Sequence, residues 1–354
     1  MLPRLLVIAV LVAALVAPSA HAAVYWGDLH AHSELSNDGT GSATNFFTVA
    51  RDVIGLDFVV LSDHDIFLTP LEWDLLKITA ASFNVDHSFV AFSAVEWTRL
   101  WHMNVYFQND DEAFCNLCTD VPGFNAFYGP RIDAGLAAAH VNHPVDPQFP
   151  VTWHDIDDTV TTAVEVWNSA SGGTHEEGLG GALWALQTGL RLGLVGVSDD
   201  HHVDVPPLEM GTGLTGCHAA ALTRADLLQA LRDRRCYATN GERIDVDLDV
   251  DGTLMGGETA APIGAIVTAT LQVVGTDTPT RLELVQNGVV VATKTDCVAA
   301  ACALSAPVTV ADEHTFVYGR VEQAGGVRAW SSPVWVRGQC LDPEDCPATR
   351  LAAG

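Results

Sequence analysis

Seven short apolar runs recur along the first two-thirds of this chain, and all but one adjoin a side chain of the kind that binds metal ions. Val24–Trp26 runs into Asp28, His30 and His32, Phe58–Leu61 into Asp63 and His64, and Phe89–Val95 into Glu96. His102 opens Met103–Phe107, Ala137–Val141 precedes His143, and Leu192–Val197 leads to Asp199 and His201. Only Ala163–Trp167, which ends on Asn168, delivers no obvious ligand. Imidazoles and carboxylates gathered from separated strand ends are what a closed α/β barrel presents at one mouth. A donor set rich in His, with Asp and Glu but without Cys, suits divalent transition metals.

Helical patterns alternate with these runs up to about Arg243, which argues for an α/β sheet or barrel over residues 23–243. Ser42 caps a helix expected to reach Ile54, with Phe46, Phe47, Val49, Ala50 and Val53 on its apolar face. Further helices are expected over Pro70–Ala80, from Thr174 to Leu190, and from Arg224 to Asp233 behind a Thr223/Asp226 cap. Beyond Arg243 the period becomes two: Ile244, Val246, Leu248 and Val250 alternate with carboxylates, and Asn287-Gly288 marks a hairpin between Leu282–Gln286 and Val289–Val291. More strands are expected at Thr315–Val321, Val327–Trp330 and Val334–Val336. Residues 244–337 therefore read as a small antiparallel β-sandwich, with a tail over 338–354.

The start of the chain, residues 1–22, reads as an export signal: Arg4, the apolar run Leu5–Val16, and the small-x-small triplet Ala20-His21-Ala22. Removal of that segment leaves no run long enough to span a membrane. A periplasmic or extracellular location fits the eight cysteines, since exported chains keep disulfides. Sequence neighbours suggest Cys115–Cys118, Cys217–Cys236, Cys297–Cys302 and Cys340–Cys346, without fixing the connectivity; Cys115-x-x-Cys118 lacks the surroundings of a redox pair. The formal net charge of −27 disfavours a nucleic-acid partner. Gly211 to Gly216 spells a dinucleotide fingerprint, but Pro206-Pro207 precedes it and a strand-like run follows, so the required strand and helix are missing.

The most specific local signal is Gly27-Asp28-Leu29-His30-Ala31-His32. Residues two apart on a strand face one side, so both imidazoles can reach one ion. Ser62-Asp63-His64-Asp65 and Ser198-Asp199-Asp200-His201-His202 repeat the arrangement at later strand ends. With these motifs in this order, the chain resembles the polymerase and histidinol phosphatase (PHP) family of metal-dependent phosphoesterases, and is similar to its secreted CehA/McbA-type metallohydrolase branch, which includes a carbamate-pesticide hydrolase. The resemblance implies a distorted seven-stranded (β/α) barrel followed by the sandwich. It implies three ions: one on His30, His32, Glu96 and Asp199, a second on Glu96, His102 and His143, and a third on Asp38, His64 and His201. Zn, Mn or Fe suits these donors.

The same resemblance implies hydrolysis of a small phosphoester by metal-activated water, with Glu96 bridging two ions. Few Lys or Arg are present to build a phosphate pocket, which keeps a carbamate, ester or amide substrate open; a non-catalytic secreted metal-binding or adhesion protein is the reading from another class. Arg99 is a candidate phosphate contact and His175 a candidate general acid over the mouth. His140 ranks behind His143 as a ligand, because alternation turns it to the other face. Asp28, Asp63, Asp65 and Asp200 are expected to orient imidazoles. Trp97, Trp101, Trp153 and Trp167 are candidates for cleft walls or for packing. No ligand candidate follows His202 in the expected order, so the sandwich is expected to be dispensable for chemistry.

Overall fold

The structure, a computed structural model, describes residues 23–339. The expected export signal, the Cys340–Cys346 pair and nearly all of the expected tail lie outside the described residues. The fold is mixed α/β, with one 16-stranded sheet and a second 4-stranded sheet.

The apolar runs become strands because unbroken Val, Ala, Phe and Leu suit a sheet covered on both faces. They are β1 (Ala23–Asp28), β2 (Phe58–Leu61), β3 (Val90–Thr98), β4 (His102–Phe107), β5 (Ala137–Val141), β6 (Ala163–Asn168) and, after a short β7 (Gly173–Thr174), β8 (Gly193–Val197). β1, β2 and β3 pair in parallel; β4 lies antiparallel between β3 and β5; β5, β6 and β8 are parallel again. Past the end of β8, the Asp199 N–H donates to His30 O at 2.9 Å and the His32 N–H to Asp200 O at 2.8 Å. A parallel bridge between Ala31 and Asp200 thus rejoins the last strand of the series to the first, at the end where the ligands sit.

β9 (Leu214–Ala219) and β10 (Cys236–Thr239) extend the sheet beyond β1 as antiparallel strands. β8 passes close over both: a Cβ on Gly196 would lie 2.6 Å from Thr239 O and 2.7 Å from Leu214 O, so this crossing needs glycine. As expected, no helix follows Gly211–Gly216, because Leu214–Ala219 is strand.

Among the helices, α1 (Ala43–Thr48) starts at Ser42, whose side chain accepts from the Asn45 N–H. The chain widens into π-type turns over Val49–Ile54, which rotates the apolar face; Phe46, Phe47 and Ala50 are buried, whereas Val53 is 64% exposed. α2 (Pro70–Phe83) begins with a complete Thr69/Glu72 capping box. α3 (Val121–Asp133) was not legible, since Gly123, Gly129 and Pro130 interrupt its pattern. The helix expected from Thr174 starts only at α4 (Ala182–Gln187), because Gly172, Gly173, Gly178 and Gly180 all sit at positive φ. α5 (Arg224–Arg232) sends Leu227, Leu228 and Leu231 into the same buried cluster as Phe58, Val60 and Phe92 of the sheet.

In the later half, β11 (Asp245–Val250), β12 (Thr253–Leu254), β14 (Ile266–Val274) and β17 (Ala301–Thr309) form the 4-stranded antiparallel sheet. β13 (Glu258–Pro262), β15 (Arg281–Gln286), β16 (Val289–Lys294), β18 (Thr315–Glu322), β19 (Arg328–Trp330) and β20 (Val334–Gln339) belong to the large sheet. Asn287 (φ 49°) and Gly288 (φ 87°) make the β15–β16 turn in the left-handed region that a two-residue hairpin requires. One pair departs from the antiparallel expectation: β13 and β20 run parallel.

The strands after Arg243 are not self-contained. β19 pairs with β10 through Ala238–Trp330 and Thr239–Ala329, so the first half's sheet continues into the second. Ser332 Oγ also accepts from the Leu194 N–H of β8 at 2.8 Å. A chain cut after Arg243 would leave β10 with a bare edge. Such a truncation is expected to lose cooperative thermal unfolding; a sharp transition at the full-length midpoint would contradict the shared sheet.

Among the described residues three disulfides form, Cys115–Cys118, Cys217–Cys236 and Cys297–Cys302. Among the described residues no helix is long and apolar enough to cross a membrane.

Candidate metal centre

The expected ligands arrive from the ends of β1, β2, β3, β5 and β8, the start of β4, and the loop after β1, and they meet in one cluster that is buried except at Asp38 and His201. His30 Nε2 lies 3.1 Å from His32 Nε2, 3.2 Å from Asp199 Oδ1 and 3.5 Å from Glu96 Oε1. His32 Nε2 is 3.3 Å from both Glu96 Oε2 and Asp199 Oδ1. These atoms surround one point. Glu96 then reaches outward, with Oε1 2.8 Å from His102 Nδ1 and 3.6 Å from His143 Nε2. Its Oε2 lies 2.7 Å from His64 Nδ1. On the solvent side, Asp38 Oδ2 sits 3.1 Å from His64 Nε2 and 3.7 Å from His201 Nε2. Donor atoms of His32, Asp38, His64 and His201 fall within 4.8 Å of one another, so His32 joins this group as well as the first. His64, Glu96 and His102 make another such group, which places His64 beside the expected His102 and His143 pair.

Hydrogen bonds behind the rings decide which nitrogen faces the cluster. His30 Nδ1 donates to Glu165 Oε1 at 2.7 Å, leaving Nε2 bare. Ser36 Oγ gives its proton to Asp63 Oδ1 at 2.9 Å, so it accepts from His32 Nδ1 at 2.7 Å. Thr98 Oγ1 donates to Glu96 O and accepts from His64 Nδ1 at 2.7 Å. His201 Nδ1 donates to Asp199 O at 2.8 Å. Each of these imidazoles therefore turns its Nε2 inward, the nitrogen a metal ligand would offer, with His64 Nε2 meeting the Asp38 carboxylate at 3.1 Å. Asn142 Nδ2 fixes Glu96 Oε1 at 2.8 Å, and Asn168 Nδ2 holds Asp199 Oδ2 at 3.1 Å, which frees Asp199 Oδ1.

The donors fit divalent cations. Glu96 Oε2, Asp199 Oδ1 and His102 Nδ1, which face the cluster, are buried and make no hydrogen bond. Atoms in that state cost free energy unless something satisfies them, and a cation does. Burial pushes the Glu96 carboxyl up, but the imidazoles of His64, His102 and His30 outweigh it and hold it well below the carboxylate range. Asp199 is held low in the same way, burial being outweighed by His30 and His32. Burial drives His32 down to about 3, so its ring stays neutral.

Several side chains do other work than the sequence suggests. Ala163–Asn168 does supply an acidic group: Glu165 is wholly buried, accepts from His30 and from His140 Nε2 at 2.9 Å, and takes the His143 N–H at 2.6 Å. His140 is thus a partner of Glu165. Of the acids expected to orient imidazoles, only Asp63 does so, through Ser36. Asp28 accepts from the backbone N–H groups of His30 and Ser198, Asp200 from those of His202 and Met210, and Asp65 from Arg99 Nη1 at 2.8 Å. Arg99, the candidate phosphate contact, is tied to Asp65 and to Thr98 O. His175 does not hang over the mouth; it is 1% exposed, and its Nδ1 accepts from the Val145 N–H. Trp97, Trp101 and Trp153 are buried.

No family model matches the chain. It is similar to uncharacterized proteins of Chlamydia trachomatis (26% identical over 356 residues, 88% of this chain and 57% of that protein) and Chlamydia pneumoniae (27% over 359 residues, with the same coverages). The chain spans little more than half the length of these curated relatives. Among solved structures it is similar to a two-domain protein containing a predicted PHP-like metal-dependent phosphoesterase from Bacteroides vulgatus (18% identity, TM-score 0.45, 88% of this chain and 95% of that one). It is also similar to PsfC from Pseudomonas syringae (14% identity, TM-score 0.39, 58% and 87%).

Proposed function

We propose that the chain is an exported metal-dependent hydrolase of the PHP type, in its secreted CehA/McbA-like branch, acting on a small phosphoester at a site for two to three divalent ions. The observation that carries this reading is the set of inward Nε2 atoms of His30, His32, His64 and His201 around the carboxylates of Glu96, Asp199 and Asp38, each ring fixed from behind. A scaffold that never holds metal has no use for buried, unsatisfied carboxylate oxygens such as Glu96 Oε2 and Asp199 Oδ1. We read β1 to β6 and β8, rejoined by the Ala31–Asp200 bridge, as the distorted seven-stranded barrel, with the sandwich beginning near residue 244. The disulfides support an oxidising compartment.

In this reading one ion is held by His30, His32, Glu96 and Asp199, a second by Glu96, His102 and His143, and a third by Asp38, His64 and His201. Bound ions of this kind activate water near neutral pH and neutralise charge on a leaving oxygen. The chain's part is to fix them. Glu96 faces His102 and His143 with one oxygen and His64 with the other, so it ties the groups together. The Asp38 side chain is 48% exposed and that of His201 24%, which makes them the side a substrate approaches.

A second reading places the attack at the carbon of a carbamate, ester or amide. It is favoured by the flanks of the site: the Phe149 ring lies 4.0 Å from His102 and that of Phe67 5.9 Å from His64, while Arg99 is occupied by Asp65. A panel of phosphate monoesters, diesters and aryl carbamates separates the readings. Hydrolysis should vanish on chelation and return with Mn or Zn. Activity that survives exhaustive chelation would contradict both readings, and a fully loaded chain inert on the whole panel would leave a metal-binding protein without catalysis.

A further inference from the structure

Glu176, between β7 and α4, is 8% exposed yet lies far from every expected ligand in sequence. Its Oε1 accepts from Tyr318 Oη at 2.6 Å and Arg320 Nε at 2.5 Å, and its Oε2 from Trp330 Nε1 at 2.8 Å. All these donors come from β18 and β19, in the part of the chain expected to be dispensable. The next residue back points the other way. The His175 N–H donates to Val166 O at 2.8 Å, its carbonyl accepts from the Ala182 N–H at 2.9 Å, and its ring Nδ1 accepts the Val145 N–H at 3.3 Å. Trp153 Nε1 donates to Gly180 O at 2.9 Å, and a Cβ on Gly180 would lie 3.3 Å from Pro144 O. The loop therefore lies directly against the turn His143-Pro144-Val145.

That turn needs support. His143 has φ 26°, a backbone conformation that costs free energy in a residue with a side chain and persists only when its surroundings impose it. Glu165 holds it from inside through the His143 N–H. From outside, it is held by the loop that Glu176 pins to the later sheet.

We propose that Glu176 and His175 are positioning residues that make the C-terminal sheet part of the metal centre, setting the affinity of the ion held by Glu96, His102 and His143. This rests on the metal-site reading above. Neither residue touches an ion or a substrate; the link runs from Tyr318, Arg320 and Trp330 through Glu176 and His175 to the His143 turn.

The test is calorimetric titration of the metal-free full chain with Zn²⁺, alongside thermal unfolding, for wild type, Glu176→Gln, Tyr318→Phe and His175→Leu. Each variant is expected to bind one ion about 10-fold more weakly, the lower end of the cost of losing an outer support, while the other ions bind as in wild type. His175→Leu should give this selective loss with the C-terminal sheet untouched, and Tyr318→Phe carries the test if Glu176→Gln does not fold. A lowered unfolding midpoint with wild-type affinity for every ion would overturn the proposal and leave Glu176 a plain tie between sheets. A wild-type chain that takes up no Zn²⁺ would fail the metal reading itself, and the proposal with it.

Discussion

Replacing Glu96 with Ala should lower turnover at least about 100-fold, the upper end of what losing a ligand's supporting partner costs, and leave fewer ions on the folded chain. No other side chain touches so much of the cluster: its oxygens lie 2.7 Å from His64 Nδ1, 2.8 Å from His102 Nδ1, and 3.5 Å and 3.3 Å from the Nε2 atoms of His30 and His32. Glu96→Gln keeps the volume and one oxygen but aims an amide N–H at imidazoles that should face a cation, so it should fail nearly as badly. Kinetics on the best panel substrate, with metal content of the same preparations, checks this. A Glu96→Ala chain with wild-type turnover and wild-type metal would remove Glu96 from the centre.

Glu165→Ala should cost both metal affinity and stability. The carboxylate is held low because His30 and His140 outweigh its burial, and with it gone both rings and the His143 N–H lose a buried acceptor. Breaking one side of a buried charged network costs about 3 kcal/mol or more. Losing the carboxylate behind a metal-bound His weakens metal binding about 10- to 100-fold. Denaturant unfolding of the metal-free chain and metal titration of the folded one read the two effects separately. Glu165→Gln retains an acceptor for His30 and should fall between Ala and wild type. If Glu165→Ala binds metal like wild type, His30 does not depend on that hydrogen bond.

Glu165 also shows where the sequence stops being legible. Apart from Asp38, which only the family resemblance supplied, the ligands stood out because each follows or opens an apolar strand, at the place where a polar side chain has no other evident role. Glu165 sits inside such a strand, where Ala-Val-Glu-Val-Trp passes for simple alternation. The available signal was energetic: a carboxylate inside an unbroken apolar run is too costly unless paired. Asn142 and Asn168, which hold Glu96 and Asp199 directly, carry no signal of their own, because an asparagine at a strand end also reads as a turn.

The later strands were legible from period two and from Asn287-Gly288, but not their attachment. Cys236–Thr239 is only four residues long, and nothing in it says that its free edge receives Arg328–Trp330 from almost a hundred residues on. His175 and Arg99 were visible as chemical groups near the right strands. Their places were settled by partners far off in sequence or on another strand end, Val145 for His175 and Asp65 for Arg99.

Metal content tests the central claim most directly. Purified full-length chain, stripped, reloaded with Zn or Mn and freed of excess, should carry about two to three ions per chain by elemental analysis, as the proposed grouping of donors around Glu96 predicts. The His30→Ala/His32→Ala double variant should lose the innermost of them. Less than one ion on carefully reloaded wild-type protein would contradict the account.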